Sequence, residues 1–133
     1  MSEARFGVAP SIDDLAAVAE AAFANLPEAF RKLAGDVLFR VEDFASDEVL
    51  ADMGIEDAFE LTGLYHGLDL SRRSVLDPSP QASMVFLYRR PILDEWAERG
   101  DVSLDELVAH VLVHEIGHHF GLSDVDIAAI ESD

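Results

Sequence analysis

The stretch SLDELVAHVLVHEIGHHFGLSD, Ser103 to Asp124, decides how the rest of the chain is read. Ser103 and Glu106 make an S-x-x-E capping box, which predicts a helix start. Leu104, Leu107, Val108, Val111 and Leu112 recur at helical spacing and give that helix a wide apolar face. Gly121 stands where a glycine can take positive φ and let the chain turn out of the helix. A helix this apolar is expected to bury part of its polar stripe, and that stripe carries histidines, which need partners when buried.

His114 and His118 are four residues apart, so one helical turn brings both imidazoles onto one face, as two ligands of one metal ion require. Glu115 lies beside His114, off the ligand line but within reach of a metal-bound water. A carboxylate there can take the proton of that water and pass it to a leaving group. Beyond the turn at Gly121, Asp124 can offer a third ligand from outside the helix. Two imidazoles and one carboxylate leave a fourth position open, which separates a catalytic zinc site from a closed structural one. Five fixed residues thus coincide in eleven positions as H-E-x-x-H-x-x-G-x-x-D. The bland alternative is an ordinary polar helix face with coincident histidines.

Working outward, 133 residues fit a single domain over 1–133. Half of them are hydrophobic, enough for a core. The absence of cysteine excludes disulfides and thiolate metal sites, so a metal must rest on His and carboxylate ligands. The first residues lack the basic start and unbroken apolar run of a secretory signal, and no apolar run is long enough for a bilayer. A soluble, cytoplasmic chain with no membrane partner is expected. A net charge of -18, from 27 acids against 9 bases, argues against nucleic acid as a partner.

SIDDLAAVAEAAFAN opens with a cap-like Ser11 and continues with Leu15, Val18, Ala19 and Ala22 at helical spacing. Pro27 begins and Gly35 ends a second helix. A strand is expected over Val37 to Asp43, a short helix from Ser46 to Gly54, and a second strand within FELTGLYHGLDLS ending near Gly67. RRSVLDPSPQA reads as a loop. SMVFLYRR reads as a strand with Met84, Phe86 and Tyr88 on one face and Val85 and Leu87 on the other. Pro91 then starts a helix closed by Gly100. The order predicts an α+β fold, a small mixed sheet packed against helices, with the motif helix near the C-terminal end.

The motif resembles that of the zincin metallopeptidases, and its Gly and Asp ending resembles the branch whose third ligand is aspartate. LPEAFRKLAGDVLFRVEDF, LTGLYHGLDLSRRS and MVFLYRRPIL are similar to blocks of a small bacterial zincin-like family, so the resemblance runs from about Leu26 to Asp124. It implies a zincin-like fold, Zn2+ as cofactor and a metallopeptidase-type activity on a peptide or protein substrate. It implies His114, His118 and Asp124 as ligands, Glu115 as general base and Gly121 as the turn. It also implies that SMVFLYRR is the edge strand to which a substrate peptide adds. The larger zincins carry a methionine turn after the motif; here no methionine follows Met84.

His110, one turn before His114, is a candidate to bear on the site indirectly. His119 is rotated about 100 degrees from the pair and is expected to be structural or solvent-facing. Tyr65, His66 and Tyr88 are candidates to stabilise an oxyanion, against ordinary packing for the tyrosines. Arg72, Arg73, Arg89 and Arg90 can pair with acids or bind a substrate carboxylate. Asp126 lies close enough to Asp124 to act as a decoy ligand, but the Gly-to-Asp spacing favours Asp124. Besides a zinc peptidase, the residues admit a zinc-binding, zincin-fold module that recognises a partner without proteolysis. A metal-dependent nuclease is disfavoured by the charge and by Asp124 in place of a third histidine. The oligomeric state is not legible from these patterns.

Overall fold

A computed structural model describes residues 9–66 and 83–131. The RRSVLDPSPQA segment, with Arg72 and Arg73, lies outside the described residues, as does the continuation of the second strand to Gly67. Among the described residues, six α-helices and three strands follow one another: α1 (Ile12–Ala24), α2 (Glu28–Ala34), β1 (Val37–Glu42), α3 (Asp47–Met53), β2 (Gly63–His66), β3 (Ser83–Tyr88), α4 (Arg89–Arg99), α5 (Leu104–His119) and α6 (Asp124–Glu131). The fold is α+β with a mixed sheet, as expected. β1 pairs parallel with β3, and β2 pairs antiparallel with β3, in the order β1-β3-β2.

β3 is therefore the central strand, paired on both sides, and not the edge strand that the resemblance implied. The physical reason is its double-sided apolarity, which suits a strand covered on both faces. Val85 and Leu87 are fully buried on one face, in a core with Leu107, Val108, Val111 and Leu112 of α5 and Leu15 of α1. Phe86 and Tyr88 turn to the other face, where Tyr88 packs with Ala45, Leu50 and Leu61.

The local signals explain most element ends. Ser11 with Asp14 and Ser103 with Glu106 form both bonds of a capping box, and each satisfies helix N–H groups that would otherwise lack partners. Ser46 caps α3, and Gly54 closes it in the left-handed region at φ 69°. Phe59 and Glu60, expected as the start of the second strand, lie instead in one turn of 3-10 helix, Ala58–Glu60, whose Phe59 N–H is taken by Asp57. The short acidic side chain competes locally with strand pairing. α4 begins at Arg89, directly from β3, with Pro91 buried in its first turn. Arg89 binds the Pro10 carbonyl at 2.6 Å and Asp43 at 3.1 Å, while Arg90 lies over the Phe44 ring. Both arginines of that pair thus have structural partners. None of the described helices is long and apolar enough to cross a membrane.

The motif helix is seated by a close approach. A Cβ placed on Gly63 of β2 would stand 2.9 Å from Val111 Cγ1 and 3.2 Å from the Phe86 carbonyl oxygen. Trp96 Nε1 donates to the Val102 carbonyl at 2.9 Å and ties the loop before α5 to α4. Gly63→Ala is expected to lower stability by about 1–3 kcal/mol through overpacking. Chemical denaturation checks this, and an unchanged midpoint would show that α5 can back away from the sheet freely.

Tyr88 gives a pH signature to the second core. Burial, and secondarily the charge of Glu42, hold its hydroxyl above the ordinary tyrosine value of about 10. In alkali the unfolded chain therefore loses this proton before the folded chain does. The stability involved is fully present below the unfolded value and is lost as pH rises through the folded one. Tyr88→Phe should flatten the alkaline fall in stability above about pH 10. Denaturation midpoints of both proteins on an alkaline pH series test this; parallel curves would refute it.

Candidate metal centre

Seven residues of α5 are buried: Leu107, Val108, Val111, Leu112, Val113, Ile116 and Gly117. They occupy so much of the helix surface that only one stripe stays polar. Every fourth residue on that stripe is a histidine, namely His110, His114 and His118. The His110 and His114 rings lie 4.1 Å apart between centroids, and those of His114 and His118 lie 5.5 Å apart, edge to face.

The helix ends as the glycine predicts. Gly121, at φ 78°, adopts the left-handed region, and its N–H binds the His118 carbonyl. The Leu122 N–H reaches back to the Gly117 carbonyl at 2.9 Å, which completes a Schellman turn. Ser123 and Asp126 then exchange side-chain and backbone hydrogen bonds at 3.1 and 3.2 Å and start α6. Asp126, the decoy against which the Gly-to-Asp spacing favoured Asp124, is thus part of a helix cap.

α6 returns along α5 and seats fully buried Ile127 on Gly117, where a Cβ would come within 3.1 Å of Ile127 Cγ1. Asp124, Ile127 and Glu131 share one face of α6 by their spacing. That face sets one carboxylate at each end of the histidine stripe. Asp124 Oδ1 lies 3.2 Å from His118 Nε2. Glu131 reaches two histidines: Oε2 is 2.8 Å from His110 Nδ1, and Oε1 is 3.2 Å from His114 Nε2.

The three expected ligands are therefore held in two groups. His118 and Asp124 face each other, whereas the Nε2 of His114 is engaged by Glu131. The Asp124 side chain is 91% exposed, against 33% for Glu131, so the two carboxylates meet different environments. Among the described residues, the set whose ligand atoms all lie within 4.8 Å of one another is His110, His114 and Glu131. Glu131 was not anticipated from the sequence. The signals were S-x-x-D at Ser123 to Asp126 and the spacing of Ile127 and Ile130, which together predict a helix ending on an acid.

Glu115 is half-buried and makes no hydrogen bond within the described residues. Burial raises its carboxyl above the ordinary carboxylate range, and the neighbouring His118 works in the opposite direction. Tyr65 lies on the α5 side of the sheet, with its ring 4.4 Å from that of His119 and 5.9 Å from that of Phe120. Its hydroxyl is buried without a hydrogen-bond partner among the described residues, so it is screened from solvent. His119, expected to be structural or solvent-facing, is exposed at the rim of this aromatic group. Tyr88 belongs to the core on the opposite face of the sheet from α5. The alternation of side chains along β3 therefore removes it from the oxyanion candidates.

The donors present are imidazole nitrogens and carboxylate oxygens, the ligand types that zinc accepts when no thiolate is available. Donor atoms of a tetrahedral zinc stand roughly 3.3 Å apart, from metal–ligand lengths of about 2.0–2.1 Å. Both the His118–Asp124 and the His114–Glu131 separations are close to that spacing.

No curated protein matches the chain. The family model for zincin-like metallopeptidases matches residues 34–133, from the end of α2 through α6. A metal, usually zinc, goes with that family. With three quarters of its length covered, motif helix and histidine stripe included, this chain belongs to the zincin-like metallopeptidase family.

Proposed function

We propose that the chain is a zinc-dependent peptidase, with His114, His118 and Asp124 holding the metal and Glu115 handling the proton. The observation that carries this reading is Glu115 itself. A half-buried carboxyl with no hydrogen-bond partner in the described residues, beside a histidine pair, is costly to keep for packing alone. Holding a metal does not require it; moving a proton does. Its raised affinity for a proton suits a base that must work nearer neutrality than an exposed glutamate.

A bound zinc ion supplies Lewis acidity, polarising a peptide carbonyl and making water more acidic. Glu115 takes a proton from the water whose oxygen attacks the carbonyl carbon. It then delivers that proton to the amide nitrogen as the C–N bond breaks, and the second proton of the water passes to the released amine, leaving a carboxylate and an ammonium group. His114 joins this ligand set by exchanging its contact with Glu131. Asp124 needs little movement, since it already faces His118.

The substrate is a peptide segment in extended form. β2 lies beside α5, and its outer side is unpaired among the described residues. Such an edge offers N–H and C=O groups to an added strand. The acidic surface of a chain with net charge -18 favours cationic segments over acidic ones. The competing reading, a zinc-holding module that only binds partners, uses the same ligands but not Glu115.

Glu115→Gln is expected to keep its zinc and to lose about 10²–10⁴-fold in turnover of an unfolded protein substrate. Metal analysis beside a cleavage assay measures both; equal cleavage by variant and wild type would remove Glu115 from the chemistry and leave the binding module. His118→Ala is expected to weaken zinc binding and abolish cleavage together. Persistent cleavage after exhaustive chelation would sink the metal-dependent reading.

A further inference from the structure

We propose that His110, His114 and Glu131 form a second divalent-cation site, one helical turn along α5 from His118, that shares His114 with the motif pair. Its chemistry is independent of whether the chain cleaves peptides. The three side chains come from two helices locked together by Ile127 on Gly117. Their ligand atoms already lie within 4.8 Å of one another, with Glu131 at 2.8 Å from His110 Nδ1 and 3.2 Å from His114 Nε2. A metal at their centre replaces two imidazole–carboxylate hydrogen bonds by coordinate bonds, with small inward shifts of the rings.

The surroundings suit an ion. The side chains of His110, His114 and Glu131 are 38%, 31% and 33% exposed, so the site is open enough to load and partly shielded from water. A surface cleft of about 240 Å³, lined in part by Leu26, Glu106, His110, Val113 and Glu131, adjoins it and has room for water in a fourth position. Two imidazoles and one carboxylate select zinc or a similar borderline transition metal. Calcium and magnesium need mostly oxygen ligands, which this set lacks.

Sharing has a consequence. His114 Nε2 is the atom that meets Glu131, so one ion held by it cannot at the same time be held terminally with His118 and Asp124 by that nitrogen. The two sets compete for one metal, and the upper set holds it away from His118. Glu131 then acts as a rival to Asp124, and the occupancy of the motif set depends on which carboxylate keeps His114.

Zinc titration of chelator-stripped, full-length protein by calorimetry tests this with no activity readout. His118→Ala/Asp124→Asn leaves only the proposed set. It should bind one zinc per chain, and adding Glu131→Gln should weaken that Kd by about tenfold or more. No binding by the folded double variant, or binding that Glu131→Gln does not change, would overturn the site. The reciprocal variant, His110→Ala/Glu131→Gln, isolates the motif set; its failure to bind while the first variant binds would overturn the His118–Asp124 reading and favour the upper set. Imidazole ¹⁵N NMR on the milder His118→Ala chain gives an answer without the second substitution. His110 Nδ1 should shift on adding zinc, and an unmoved His110 refutes the proposal.

Discussion

The burial of α5 is the constraint on which the other elements depend. Seven of its residues are buried, six of them with aliphatic side chains that each stabilise the fold by about 1.5–3 kcal/mol when fully buried. The sheet and α1 cover one side, and α6 covers another. Two glycines make the coverage tight. Gly63 admits Val111 to the strand, and Gly117 admits Ile127 to the helix. What remains uncovered is a single stripe, on which every fourth residue is a histidine. The chemistry of the molecule is thus placed where apolar packing ends.

α6 converts that stripe into a site with two ends. Because it runs back along α5, its first residue meets His118 and its last meets His114 and His110. The apolar contact of Ile127 lies between the two acids in sequence, so the packing that stabilises the helix pair also fixes the spacing of its carboxylates. In a chain with a net charge of -18, gathered imidazoles are a local exception, and paired acids are what hold them in one place. Glu115 stands apart from both pairings, half-buried and, among the described residues, without a hydrogen bond.

Much of this was legible in the chain. Ser11 and Ser103 announced their helices through caps, Gly121 announced the end of α5 as a turn that takes positive φ, and both faces of β3 were legible in the alternation of Met84 to Tyr88. Misreadings arose where local chemistry or long-range pairing intervened. Asp57 capped a 3-10 turn in a segment whose apolar content suggested a strand. β3 looked like an edge by resemblance, yet its apolarity on both faces already argued for the centre of the sheet. Asp126 stood only as a rival to Asp124, which the Gly-to-Asp spacing favoured, and its own spacing from Ser123 is that of a cap. The most consequential omission was α6. No element is expected beyond Asp124 from the motif alone, yet the S-x-x-D box at Ser123 to Asp126 and the Ile127–Ile130 spacing carry the signal of this helix.

Sequence alone set the order of the motif's candidate donors, Glu131 excepted. The four-residue interval from His114 to His118, Glu115 beside them, the glycine turn and the exclusion of thiolates all follow from helical geometry and composition, which are local. Tertiary structure decided which carboxylate meets which imidazole. That choice depends on the direction in which α6 leaves Gly121 and on how deeply Ile127 can sit against Gly117. Both are settled by packing between residues ten apart in the chain, to which helical periodicity within α5 is blind.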